Sequence, residues 1–184
     1  MKIKSISIAL LLCLALTGCK NEKSSDNTNE VTQQAEPVND YLKVTLDVTV
    51  KKDDNLQVYY IDKVTEPFAE EKSVWVAVKG SPNPQKVVFN IPKNEAPHLL
   101  RLDFGMNPEQ EDIVFSGLEF NYFGKIKEIK GGELAFFFRP VSPTTIDFAT
   151  GVINAKEASG KRVEAVLYPQ EVPLGKELDK LIKS

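Results

Sequence analysis

The chain has 184 residues, with 23 lysines and arginines against 26 aspartates and glutamates, so its formal net charge is -3. A mildly acidic chain without a basic cluster is a poor candidate for binding nucleic acid, because that affinity depends on neutralising phosphates. Its two cysteines, Cys13 and Cys19, both lie near the N-terminus, which excludes a disulfide framework for the rest of the chain.

The N-terminus has the pattern of an export signal. Lys2 and Lys4 give a positive charge before the apolar run 6–16, which is shorter than the roughly 20 residues needed to span a bilayer. The sequence Leu16-Thr17-Gly18-Cys19 then matches the bacterial lipobox, in which the cysteine thiol takes a diacylglyceryl group. We therefore predict that Cys19 is the lipid-modified first residue of the mature protein. An ordinary secretory signal with an incidental cysteine is the alternative.

Three segments follow from this interpretation: a signal peptide at 1–18, a lipidated tether at 19–40 and one domain at 41–184. Polar and charged residues dominate the tether, so it cannot bury enough apolar surface to offset its conformational entropy, and we predict that it is disordered. Its r.m.s. reach would be about 25 Å. Lys20 follows the cysteine where an aspartate can retain a lipoprotein at the inner membrane, so we expect outer-membrane sorting.

From residue 41 onward the hydrophobic pattern has a period of two, which indicates strands with one buried face. Strands are predicted at 42–51, 56–61, 73–78, 86–91, 99–104, 113–121, 125–129, 146–148 and 162–167. Residues 131–138 fit either a short helix or a buried strand. Leucines and isoleucine over 174–182 recur at helical spacing and predict a short C-terminal helix. Short strands separated by turn residues favour an all-β sandwich. Its predicted core includes Leu46, Val48, Val76, Phe89 and Leu102.

Three stretches, Ser73–Val78, Leu99–Pro108 and Ile113–Phe115, carry a family resemblance. They resemble galactose-binding-like jelly-roll modules of envelope and polysaccharide-assembly proteins of Bacteroidota. Those modules have an aromatic-rich strand, a strand ending Leu-Arg-Leu-Asp-Pro and a strand of isoleucine and valine with a glycine; here Phe104 replaces the proline. The resemblance covers roughly 44–121. It implies a jelly-roll sandwich that binds sugars at end loops or on a concave sheet face.

Few residues are suited to catalysis. His98 is the single histidine, no serine lies in a Gly-x-Ser-x-Gly elbow, and a zinc site normally needs more histidine or cysteine ligands than this chain offers. We therefore expect neither an enzyme nor a cofactor. Glu109, Glu111 and Asp112 lie close in sequence to Asp103 and could bind calcium, although their spacing does not match an EF-hand and simple solvation of an acidic loop is the alternative.

Aromatic residues give the best indication of a binding site. Tyr59 and Trp75 are out of phase with the apolar residues beside them, so both should face away from the sandwich interior. Flat rings stack on the C–H faces of sugars, and Gln57, Arg101 and Asp103 could bond sugar hydroxyls. These five residues are the predicted ligand-binding set. The alternatives are that the tryptophan packs under a loop and that Arg101 and Asp103 form an internal ion pair.

The sequence favours a membrane-anchored lipoprotein of the cell envelope, with membrane lipid as its partner through Cys19 and a carbohydrate-binding or glycan-handling accessory sandwich. A structural or protein-interaction module that docks on an envelope protein is the alternative. An enzyme is the third hypothesis, disfavoured by the residue inventory.

Overall fold

Alternating apolar and polar residues form eleven strands in residues 40–183, which a computed structural model describes. The predicted signal peptide, Cys19 and nearly all of the predicted tether lie outside these described residues. The strands are β1 (Lys43–Thr49), β2 (Asp54–Ile61), β3 (Ser73–Val78), β4 (Gln85–Asn90), β5 (Leu99–Phe104), β6 (Ile113–Tyr122), β7 (Lys125–Lys130), β8 (Phe138–Pro140), β9 (Thr144–Asp147), β10 (Val152–Ala155) and β11 (Ala165–Pro169).

The strands pair in two antiparallel sheets. Sheet I has the order β4-β1-β6-β10-β9, and β7 pairs with the part of β6 that β10 leaves free. Sheet II has the order β3-β2-β5-β11-β8. Each strand buries one face between the sheets, which is how a β-sandwich forms its core. The predicted all-β sandwich is therefore confirmed.

The core lies between the two sheets. Phe104 of sheet II and Phe115 of sheet I meet across it, with ring centroids 5.2 Å apart. Four of the five predicted core residues are at most 1% exposed: Leu46, Val48, Phe89 and Leu102. The fifth, Val76, is only partly buried. It lies on β3, the edge strand of sheet II, where no further strand covers it.

Two helices complete the fold. The ambiguous segment 131–138 contains a 3-10 turn (Gly131–Glu133), then α1 (Leu134–Phe137), and then the first residue of β8. Helix α2 (Glu171–Lys183) confirms the predicted C-terminal helix, and its buried residues are Leu174, Gly175, Leu178 and Leu181. No helix within residues 40–183 is long and apolar enough to cross a membrane.

Helix α2 packs closely against the start of β5. A Cβ atom added to Gly175 would lie 2.5 Å from the Nε2 atom of His98, so any larger residue would displace the imidazole ring from its place against the helix. On the same helix the Oδ1 atom of Asp179 lies 3.0 Å from Nδ1 of His98. The single histidine therefore holds α2 onto sheet II.

The antiparallel pairings define two ends of the sandwich. At the near end β1 begins and β6 ends, because Lys43 pairs with Asn121. At the far end a short loop over 50–53 leads from β1 into β2, and Asp54 begins that strand. Since β5 begins beside the end of β2 and helix α2 contacts both β5 and β7, α2 closes the near end. The far end carries the loop 105–112.

Candidate functional site

The outer face of sheet II brings the five predicted binding residues together. In the strand register Gln57 lies between Trp75 and Asp103, while Tyr59 lies beside Arg101. Residues paired directly across antiparallel strands point to the same side, and so do residues two apart along one strand. All five side chains therefore share one surface, which we call the outer face of sheet II.

A glutamate that the sequence analysis did not select organises this face. Glu70 lies in the 3-10 turn (Glu70–Lys72) before β3 and accepts hydrogen bonds from three side chains. Nε1 of Trp75 donates to Oε1 at 2.7 Å, the hydroxyl of Tyr59 donates to Oε2 at 2.8 Å, and Nε2 of Gln57 lies 3.1 Å from both oxygens. These bonds, with that of Trp75 the largest contribution, lower the pKa of Glu70. The carboxylate thus stays ionised.

The hydrogen bonds to Glu70 fix the two aromatic rings differently. Trp75 remains 42% exposed, so its ring presents a flat apolar surface to solvent while its N–H is satisfied. Tyr59 is partly buried, and burial followed by the bond to Glu70 raises the pKa of its hydroxyl to about 12. Gln57 is almost fully buried beneath them. Trp75 is therefore the ring best placed to meet a ligand.

Arg101 and Asp103 form an ion pair beside the rings. Nε of Arg101 donates to Oδ1 of Asp103 at 2.7 Å, and a second guanidinium nitrogen bonds the other carboxylate oxygen. This two-point geometry is the strong form of an arginine–carboxylate pair. The guanidinium carbon also lies 4.1 Å from the ring centre of Tyr59. The internal ion pair that the sequence offered as an alternative to sugar binding is thus present, and Asp103 is almost completely buried.

A second carboxyl group lies against Asp103. Burial first, and then the charge of Asp103 and a hydrogen bond with it, together raise the pKa of Glu164 to about 7. Burial also raises the pKa of Asp103, while the guanidinium of Arg101 opposes that effect. Below about pH 7 Glu164 is therefore mostly protonated, and its O–H donates a hydrogen bond to Asp103.

A cleft of about 660 Å³ continues the outer face toward the far end. Asn55 and Ala77, which line it, lie two residues along the strands from Gln57 and Trp75. Its other lining residues are Asp53, Asp54, Val78, Lys79, Met106, Asn107 and Pro108. The volume lies in the range of small-molecule sites. Backbone, amide and charged groups in the cleft could extend contacts made at Trp75.

No protein-family model matches the chain, and searches of curated proteins and of solved structures found no match. The functional proposal therefore depends on the chemistry of the site. That chemistry consists of one exposed indole, an ionised carboxylate, a proton-sharing carboxyl pair and a guanidinium on one sheet face.

Three of the four carboxylates considered for calcium are bonded to other partners. Glu111 forms an ion pair with Lys51 at 2.9 Å, and Asp112 accepts a hydrogen bond from Asn154. Asp103 faces Arg101 instead of this loop. Within residues 40–183 no group of three or more histidine, cysteine or acidic side chains is placed to hold a metal ion.

Glu70 and Glu164 are the site residues that sequence reasoning missed. Glu70 lies in a polar turn among other charged residues, where nothing distinguishes it from solvated neighbours. Glu164 lies just before β11, which begins three residues later than the predicted strand at 162–167. Glu70 is only five residues from Trp75, but its bonds to Tyr59 and Gln57 depend on strand pairing. The approach of Glu164 to Asp103 depends on strand pairing as well, so no local pattern specifies these contacts.

Proposed function

We propose that the chain is a lipoprotein of the cell envelope whose sandwich binds carbohydrate on the outer face of sheet II. The carbohydrate is bound without being chemically changed. The observation that carries the proposal is the exposed ring of Trp75, held in place by the 2.7 Å hydrogen bond from its Nε1 to Glu70. A ring that is already fixed loses little conformational freedom when a ligand binds. Such preorganised aromatic rings suit the C–H faces of pyranose sugars.

Polar groups around the ring supply the second half of the site. Arg101 is partly exposed beside Tyr59, and Asn55 and Asn107 line the adjoining cleft. Each can bond a sugar hydroxyl. The ionised Glu70 at the centre disfavours anionic polymers, so a neutral glycan fits best. Finer details of the fold belong to the same proposal: we propose the jelly-roll arrangement of galactose-binding-like modules.

The anchor is proposed from the lipobox. A lipid on Cys19 and the sorting expected from Lys20 would hold the domain at the outer membrane. Shallow sugar sites have dissociation constants of about micromolar to millimolar, or roughly -8 to -4 kcal/mol. Tethering many copies to one surface raises the retention of a multivalent polymer far above the affinity of one site.

A protein-binding role is the second candidate. Strand β3 is an edge of sheet II and carries the exposed Trp75, so an extended segment of an envelope protein could pair with it. This alternative predicts binding to a protein partner that no soluble glycan competes away.

Glycan-array binding tests the main proposal. The full-length protein, extracted in a detergent without a sugar headgroup, should bind neutral polysaccharides and release no reducing ends from them. Trp75→Ala should reduce retention on a glycan affinity gel by about 10-fold or more while the melting temperature moves by less than about 3 °C. Trp75→Phe keeps a stacking ring and should retain part of the binding.

Val88→Ala is the matched control, because Val88 is 40% exposed and lies on sheet I. It should leave glycan retention unchanged. If the parent protein binds no glycan, the carbohydrate proposal is wrong. If Trp75→Ala unfolds the domain, Trp75 is a structural residue and the protein-binding alternative moves ahead.

A further inference from the structure

Four strongly exposed apolar side chains cluster at the near end of the sandwich. Phe123, Ile126, Phe136 and Val172 are 50%, 58%, 67% and 64% exposed. Ile126 lines a cleft with Glu177, and Phe136 and Val172 line a second cleft that also includes Glu177. The two clefts are therefore neighbours on one surface. We call these four residues and the lysines around them the near-end patch.

Phe123 is held outward by an unusual backbone conformation. Its φ is 50° and that of Gly124 is 77°, so both residues of the turn between β6 and β7 are left-handed. Asparagine and glycine normally occupy such turns, and a bulky side chain is unfavourable there. The ring is nevertheless half exposed, with only an edge contact to Tyr122 at a centroid distance of 4.8 Å. Burial in the core therefore does not explain this residue, whereas an external partner would.

Positive charge surrounds these apolar residues. The two clefts are lined by four lysines and one carboxylate: Lys125, Lys127, Lys176, Lys180 and Glu177. The chain as a whole has a formal net charge of -3, so lysine predominates only in the lining of these two clefts, where Lys125 and Lys180 also interact with other groups. Lysines around exposed aromatic and aliphatic side chains are the composition of protein surfaces that lie on anionic membranes.

The chain enters the domain at this same end. Lys43 of β1 pairs with Asn121, two residues before Phe123, so the backbone at Asp40 emerges next to the turn that carries Phe123. The segment that joins Asp40 to Cys19 has about 20 residues, with an r.m.s. reach of about 25 Å if it is flexible. An anchor on Cys19 would therefore keep the near end, more than any other part of the domain, close to lipid.

We propose that the near-end patch rests on the membrane surface, with its lysines at anionic lipid headgroups and its four apolar side chains inserted among them. This step rests on the proposed lipid anchor for its setting, but the affinity of the patch is a property of the domain. The far-end cleft would then point away from the bilayer, because it lies at the opposite end of the sandwich.

Vesicle co-sedimentation of the full chain carrying Cys19→Ser tests the patch without the lipid. Vesicles with about 30% phosphatidylglycerol should bind this protein, whereas vesicles of phosphatidylcholine alone should bind it weakly, and about 0.5 M salt should release it. Adding Phe136→Ser or Lys176→Glu should reduce binding to the anionic vesicles by about 10-fold or more. Any contribution of residues 1–39 is the same in every variant.

Matched controls lie at the far end. Met106 is 63% exposed and Lys161 is exposed, so Met106→Ser and Lys161→Glu repeat the same chemical changes away from the patch. Both should leave vesicle binding unchanged, as should Trp75→Ala, which separates this test from the glycan proposal. Binding by the parent that the two patch variants do not reduce overturns the proposal. A parent protein that binds no anionic vesicles also overturns the proposal, even if the protein is found to bind a protein partner.

Fluorescence gives a second readout that does not depend on destabilising variants. Trp75 is the single tryptophan, and it lies on the outer face of sheet II. Brominated lipids should therefore quench Phe123→Trp strongly in the Cys19→Ser chain while leaving the Trp75 signal of the parent nearly unchanged. Equal quenching in the two proteins would overturn the proposed orientation.

Discussion

The two ends of the sandwich are built on the same strands but present opposite chemistry. The near end is closed by α2 and exposes apolar side chains among lysines. The far end is formed by strand ends and loops, and its cleft and the loop 105–112 carry carboxylates and amides. Strand packing alone would leave the ends equivalent. The difference shows that polarity along the molecule comes from the strand ends together with the segments that connect them, which are free to vary where they are not part of the core.

The largest expected effect concerns attachment at the near end. Cys19→Ser should abolish lipidation and partitioning into a detergent phase, because no acyl chain would be added. The melting temperature should not change, since the described sandwich begins at about residue 40. Any remaining association with membranes should be released by salt. Unchanged detergent-phase partitioning would contradict the predicted anchor.

A core substitution should weaken both ends equally. Leu102 is 1% exposed and lies in the middle of β5. Truncation removes buried methyl groups and leaves a cavity, so Leu102→Ala should lower the free energy of unfolding by about 2–5 kcal/mol. Denaturant titration measures this loss, and a value below about 1 kcal/mol would mean that the face of β5 is wrongly assigned. Hydrogen exchange should rise throughout the domain.

A substitution at Asp54 should loosen the far end specifically. Its Oδ1 accepts the backbone N–H groups of Asn55, Met106 and Asn107 at 2.9, 2.8 and 3.0 Å, and its Oδ2 accepts Nε2 of Gln110 at 2.9 Å. Asp54→Ala leaves these donors without their acceptor and should lower the free energy of unfolding by about 1–3 kcal/mol.

Hydrogen exchange shows whether that effect is local. Amides of the loop 105–110 should lose protection in Asp54→Ala while those of α2 keep it. The neighbouring Asp53 is exposed, pairs with Lys79 and accepts the backbone N–H of Gly80 outside the loop 105–110, so Asp53→Ala is the control and should leave the protection of that loop unchanged. Equal loss of protection at both ends would show that the far-end loop is not an independent unit.

The smallest expected effect is a pH dependence on the outer face of sheet II. The folded state raises the pKa of Glu164 from 4.5 to about 7, so between these values it binds more protons than the unfolded state. Stability should therefore fall as pH rises through this window. Glu164→Gln keeps a donor toward Asp103 and cannot ionise.

At pH 8 this variant should be about 1–2 kcal/mol more stable than the parent, and at pH 4 the difference should disappear. Urea titrations at both pH values provide the measurement. A constant difference at all pH values would mean that ionisation of Glu164 does not control this face. The near end, which lacks this carboxyl pair, should show no corresponding change in vesicle binding between about pH 5 and pH 7.

The sequence determined the features that depend on neighbouring residues. Period-two alternation located the strands of the first half and four of the five core residues, because a strand with one buried face must alternate. It also indicated that Trp75 faces outward. Short or interrupted elements were less certain: β8 and β10 have only three and four residues, too few to show a period.

Only the tertiary structure decided which outward-facing residues meet. Strand pairing brings Glu70 onto Trp75 and Tyr59, and it sets Glu164 against Asp103. The same pairing brings the turn at Phe123 next to α2 at the point where the chain enters the domain. Apart from the bond between Glu70 and Trp75, which are five residues apart, these contacts join segments distant in sequence, so no local pattern specifies them. They depend on strand register, which only the packed core fixes.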